Sequence, residues 1–169
     1  MTTFSCLHAD IAMCLLAAAL NPAGSGAGGW SCAGDFPSTN ICSTWTGVRC
    51  DERGAVKNIT LPGLSLHGSI PSALGQVTSL QAIDLSNNAI GGTLPSQLSG
   101  LQLIQNINLQ GNLIGGTIPN SLSTLTGLTS LNIGGNSVTG TVPSALCSIS
   151  SYNYGTLACG GAVDDDGTY

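Results

Sequence analysis

The chain has 169 residues, enough for one domain, with three basic side chains against eight acidic ones and a net charge of −5. Three cations cannot make the basic stripe that a nucleic-acid partner needs, and no apolar run approaches the roughly 20 residues of a membrane span. Between Lys57 and Asp164 the sole charged side chain is Asp84, so the surface of that long stretch is built from Asn, Gln, Ser, Thr and Gly.

Two readings compete for the start. Residues 11–20 are an apolar run long enough for the core of a secretory signal. Yet no Lys or Arg precedes it, Asp10 opens it, and Ala17, Ala18 and Ala19 are followed by no convincing cleavage site. A capping helix over 10–20 accounts for more of these residues. Asp10 is then its N-cap; Ile11, Leu15 and Ala18 or Ala19 make the inward face; Asn21 and Pro22 end it. Residues 1–9 become a tail or the remnant of a signal. Residues 23–29 read as a flexible Gly/Ser/Ala loop, and since they follow no strand and open no helix they are no dinucleotide site. Cys42, Trp45, Gly47, Val48 and Cys50 close an amino-terminal unit spanning 10–55. They include no CxxC pair and no nearby His, which argues against a metal.

From residue 56 to 149 the sequence repeats itself. Pro71, Pro95, Pro119 and Pro143 recur every 24 residues, as do Gly68, Gly92, Gly116 and Gly140, and as do Ile59, Ile83, Ile107 and Leu131. The period predicts an α/β solenoid of four coils. Each coil has seven inward apolar positions, 56, 59, 61, 66, 70, 74 and 77 in the first, which one coil cannot bury alone. Short strands from successive coils should line up as one parallel sheet on the concave face. Asn88, Asn112 and Asn136 should form a structural column at the strand-to-loop corner, bonding backbone groups of their own coil and the next; Leu64 replaces Asn in the first coil. The Gly-Thr-Leu-Pro stretches predict a second short strand followed by a 3₁₀ or helical turn behind, opened by the proline.

The pattern LxxLxLxxNxLxGxIPxxLxxL resembles that of the plant-type leucine-rich-repeat family, which includes receptor-kinase ectodomains, receptor-like proteins and polygalacturonase inhibitors. The resemblance implies a short right-handed superhelix capped at both ends, with a helix followed by a Trp before the first coil, matched here by residues 10–20 and Trp30. It implies a disulfide between Cys42 and Cys50 across the amino-terminal cap, worth about 2–4 kcal/mol, with Trp45 covering the open end of the core. It also implies a non-enzymatic module for protein or peptide recognition, used in cell-surface signalling or defence.

Past the last coil, Ile149 and Tyr152 stand where a fifth coil would place its leucines. Residues 150–163 read as a carboxy-terminal cap stapled by Cys147 and Cys159, because an open solenoid edge needs cover. The Asp-rich 164–169 is a solvated tail without the spacing of a calcium loop. Of seven cysteines, Cys6, Cys14 and Cys32 remain; Cys14 with Cys32 would tie down the cap helix and leave Cys6 free. Bridges imply an oxidising compartment, here the extracellular space or cell surface. Asn58 heads the single N-glycosylation sequon and points outward.

His8 and His67 have no catalytic motif around them, so no catalytic residue, metal or cofactor is expected. The concave face offers Asn58, Thr60 and Pro62; Ala82, Asp84 and Ser86; Asn106, Asn108 and Gln110; Ser130, Asn132 and Gly134. A monomer should bind a protein or peptide there. Lacking aromatic and Arg anchors, the face predicts weak binding, or binding completed by a co-receptor. One alternative is ice binding by a flat hydroxyl column of Ser69, Thr93, Thr117 and Thr141, since residues 136–140 are similar to the motif of ice-binding plant repeats. Another is inhibition of a cell-wall glycosidase.

Overall fold

The computed structural model describes residues 4–20 and 41–160. Helix α1 (Phe4–Leu20) and the short α2 (Ile41–Thr44) precede the coils. Six strands form the main sheet: β1 (Val48–Cys50), β2 (Val56–Thr60), β4 (Ala82–Asp84), β6 (Asn106–Asn108), β8 (Ser130–Asn132) and β10 (Ser151–Asn153), in that spatial order. β1 runs antiparallel to β2 and the remaining pairs are parallel. Behind them β3 (His67–Ser69) pairs with β5 (Ala89–Gly91), and β7 (Gly115–Thr117) with β9 (Ser137–Thr139).

The register explains the repeat. Ile59, Ile83, Ile107 and Leu131 face one another across the sheet, all buried. All seven inward positions of each of the first three coils are buried, from Val56 to Leu125. In the fourth, Val138 and Ile149 are only half-buried, because no full coil stacks beyond them. Each buried Leu or Ile is worth about 1.5–3 kcal/mol, and coil stacking is what makes burial available.

Four 3₁₀ turns close the back: Ser72–Gln76, Ser96–Gly100, Asn120–Thr124 and Ser144–Leu146. Each proline stands immediately before its turn with extended ψ, rather than inside it, and its carbonyl accepts the Leu74, Leu98, Leu122 or Leu146 N–H at 2.8–3.1 Å. Pro has no N–H to waste there, and its fixed φ suits the entry.

The amino-terminal cap departs from expectation in two respects. α1 continues through Asp10 to Phe4, so Asp10 lies within the helix and does not cap it, and residues 4–9 are helix and not tail. Its inward face is Ala12, Met13, Leu16, Ala17 and Leu20, whereas Leu15 is 47% exposed and Ala18 exposed. The run is apolar on every side, so composition could not choose the face. Packing does: the helix is seated on the first 3₁₀ turn and β3, and the side that meets them is buried. Its last turn crosses so near β3 that a Cβ on Gly68 (φ +90°) would run into the Ala19 carbonyl.

Trp45 is buried beside Ile41 and Val48, and Cys42 is bridged to Cys50. Gly47, at φ +81°, accepts the Thr60 N–H at 2.8 Å where any Cβ would strike Thr60 and Leu61. Cys14 is also disulfide-bonded. The expected partner Cys32, with Trp30, the loop 23–29 and the tail 164–169, lies outside the described residues, as do the side chains of Cys6 and His8.

At the other end Cys147 bridges Cys159. β10 extends the sheet as an incomplete fifth coil, with Tyr152 beside Leu131, a step of 21 residues rather than 24. The last 3₁₀ turn is shorter than the others, and the strand that follows enters three residues early. Tyr152 stacks on the buried Tyr154 with ring centroids 4.9 Å apart. The Tyr154 hydroxyl donates to the Leu146 carbonyl. Burial, with a smaller contribution from Tyr152, pushes the Tyr154 hydroxyl up to about 12.

Candidate functional site

The concave face is a shallow trough of about 360 Å³ running across β2, β4, β6, β8 and β10. Parallel pairing in register sorts its side chains into rows. One row runs Asn58, Ala82, Asn106, Ser130, Ser151, and the next Thr60, Asp84, Asn108, Asn132, Asn153. Ser151 and Asn153 escaped the sequence reading because the early fifth strand breaks the period. Arg49 pairs with Asn58 and extends the first row at its amino-terminal end.

The second row has a structural duty. Asp84 Oδ1 accepts the Ser86 N–H at 2.9 Å, Asn108 Oδ1 that of Gln110 at 3.3 Å, Asn132 Oδ1 that of Gly134 at 3.2 Å, and Asn153 Oδ1 that of Gly155 at 3.1 Å. Each side chain thus closes its own strand end, a common habit of Asp and Asn. The remaining amide groups face the trough, and Asn132 Nδ2 donates to Gln110 Oε1 at 2.7 Å.

Ser86 does not belong among ligand-facing residues. It is 5% exposed, its carbonyl taken by the Gly63 N–H and the Asn88 amide, and Gly134 is buried too. This third position turns into the corner rather than lining the trough; only Pro62 and Gln110 reach solvent there.

The corner itself is held by asparagines, which bond the preceding coil and not the next. Asn112 Nδ2 donates to Leu85 and Leu109 carbonyls at 2.9 Å, and its Oδ1 accepts the Ile90 N–H at 3.0 Å. Asn88 does the same for Leu61, Leu85, Leu64 and Leu66, and Asn136 for Leu109, Ile133 and Ile114. Leu64 is therefore no defect. The first coil has no coil before it to bind, and the Leu64 N–H is already satisfied by Asn88.

On the convex flank the expected flat hydroxyl column is staggered. Strands there pair with a step of 22 residues, placing Thr93 beside Gly115 and Thr117 beside Thr139. The methyl groups of Thr93 and Thr117 lie over Gly116 and Gly140 of the following coil. His67 is exposed on β3 with Nδ1 against the Ser65 carbonyl, on a different face from Asp84. Among the described residues no cluster could hold a metal ion, and no helix is long and apolar enough to cross a membrane.

The leucine rich repeat family matches residues 78–138. Polygalacturonase inhibitor 1 of Oryza sativa subsp. japonica is 42% identical over 45 residues, 26% of this chain and 14% of that protein. Four curated relatives are matched over only 4% to 14% of their own length. Among solved structures, the BIR2 ectodomain of Arabidopsis thaliana superposes with a TM-score of 0.75 at 28% identity, covering 90% of this chain and 82% of that one. The Arabidopsis HAESA ectodomain, solved with an N-terminally extended IDA peptide hormone, gives 0.73 at 29% identity, covering 93% of this chain and 26% of that one. With the 24-residue coil, these likenesses make the chain similar to plant leucine-rich-repeat ectodomains.

Proposed function

We propose that the chain is an extracellular recognition module that holds an extended segment of a peptide or protein along its trough, with a co-receptor completing the contact. The observation that carries this is the trough itself: five strands in register present to one side two rows of amides and hydroxyls, interrupted by Ala82 and Asp84 of β4 alone. Such rows can bond the backbone of an extended chain, and the shortage of aromatic anchors calls for a second partner. The disulfides support an oxidising compartment, and the HAESA ectodomain holds a peptide hormone on a similar fold. A glycan on Asn58 would fence the amino-terminal end of the trough and leave β4 to β10 open; a mass shift on deglycosylation of secreted protein tests it.

The test is a biosensor screen of secreted protein against extracellular peptides and receptor ectodomains. Asn106→Arg and Ser130→Arg fill the trough without touching the strand-end bonds. They should abolish any hit while leaving the melting curve unchanged; a hit that survives both moves the binding surface elsewhere.

A second reading, inhibition of a cell-wall glycosidase, is favoured by the likeness to polygalacturonase inhibitor 1, and absence of inhibition against a pectinase panel removes it. Ice binding loses its flat array to the stagger of the convex flank; thermal hysteresis at high protein concentration is the measurement that would restore it.

A further inference from the structure

We infer that Asp84 and the gap around it form a subsite for one cationic side chain, lysine or arginine, of an extended peptide lying in the trough. This rests on the peptide-recognition reading above and names the chemistry at one point of it.

The argument starts from what Asp84 does not need to be. Its strand-end bond to the Ser86 N–H is made equally by the neutral amides of Asn108, Asn132 and Asn153 in later coils. The fold is therefore served by Asn at this position, and the negative charge is surplus to it. Asp84 forms no ion pair among the described residues, and Lys57 is held by Asp51 at 3.3 Å. Arg49 is on the same face but two strands away, about 10 Å at the usual strand spacing. A half-buried carboxylate bound to one backbone N–H keeps its second oxygen for something else.

The surroundings supply the room. Along β4 the trough-facing neighbour of Asp84 is Ala82, where the adjacent strands carry Asn58 and Asn106. Toward the corner the next side chain is Ser86, small and turned inward. Across the sheet Thr60 and Asn108 flank the carboxylate with a hydroxyl and an amide. The second coil thus presents a carboxylate beside Ala82, the smallest side chain of the two rows, with acceptors on either side. A long side chain ending in a cation fits this arrangement: its stem lies over Ala82, and its donors meet Asp84 Oδ2 and the neighbouring side-chain oxygens.

The experiment is panning of a phage-displayed random 12-residue peptide library against wild type and Asp84→Asn. That substitution copies the residue of the next two coils, so the melting temperature should not move. Wild type should enrich peptides sharing Lys or Arg at one aligned position, and the Asp84→Asn pool should keep the remaining consensus without it. Replacing that residue by Gln in a synthetic enriched peptide should weaken binding to wild type about fivefold, as expected for a partly solvated pair, and leave binding to Asp84→Asn unchanged. A wild-type consensus with no basic position, or one that Asp84→Asn retains, overturns the subsite while leaving peptide recognition intact. No enrichment by either protein overturns both.

Discussion

The side-chain amide of Asn112 donates to the carbonyl of Leu85, a residue of the coil before its own, across 2.9 Å. One buried side chain so ties two coils: its oxygen takes the Ile90 N–H, and its amide shares the Leu85 and Leu109 carbonyls with Asn88 and Asn136. Asn112→Ala leaves the Ile90 N–H buried and unpaired, while the Leu85 and Leu109 carbonyls keep the amides of Asn88 and Asn136, at a cost of about 1–3 kcal/mol. A fall in the denaturation midpoint of the purified protein measures it. Leu64→Asn, in contrast, should stabilise nothing, because the first coil has no predecessor whose carbonyls its amide could take.

Gly68 and Ala19 set the seat of the capping helix. With φ at +90° and the Ala19 carbonyl where a Cβ would go, Gly68→Ala should lift α1 from the first coil. Hydrogen exchange in residues 11–20 should rise while exchange in β6 and β8 stays put, since coils contact only their neighbours. Unchanged exchange in α1 would mean that the helix is held by its other contacts alone.

How much of this was legible beforehand follows from what each residue contacts. The inward slots from Val56 to Leu125 repeat because each faces its copy in the next coil, so the period alone placed them. The inward face of α1 was not readable, since Leu15 and Leu16 are equally apolar and only the seat on β3 separates them. The fifth strand was hidden by the 21-residue step to Tyr152. In the trough, side-chain direction followed from alternation, but the strand-end bonds of Asp84 and Asn108 did not, because Asp and Asn serve turns and ligands alike. Ser86 was misplaced for a related reason: alternation stops where the corner begins.

Those strand-end bonds give adjacent trough residues different costs. Asn108→Ala frees the Gln110 N–H and should destabilise by about 0.5–1.5 kcal/mol. Asn106→Ala, two residues earlier on the exposed side of the same strand, should stay within about 0.5 kcal/mol. Paired urea titrations decide this. Equal losses would show that the Asn108 bond contributes nothing in solution, and binding effects of the two variants could then be compared directly.

The carboxy-terminal cap carries an alkaline signature. Tyr154 is buried, donates to the Leu146 carbonyl, and has its hydroxyl pushed up to about 12 by burial. In the unfolded chain the same group ionises near its ordinary value of 10.0. The folded form therefore keeps a proton that the unfolded form gives up first. Stability from this group is complete below pH 10 and is lost as the pH rises from there toward 12. Tyr154→Phe removes the hydroxyl, costs about 1 kcal/mol at neutral pH through the lost hydrogen bond, and should flatten that part of the alkaline decline. Tyr152, 57% exposed, is the control: Tyr152→Phe should leave the slope between pH 10 and 12 as it is in the wild type. If Tyr154→Phe and wild type lose stability in parallel across that window, the Tyr154 hydroxyl ionises as freely in the folded cap as in the unfolded chain, and the cap is looser than its hydrogen bond implies.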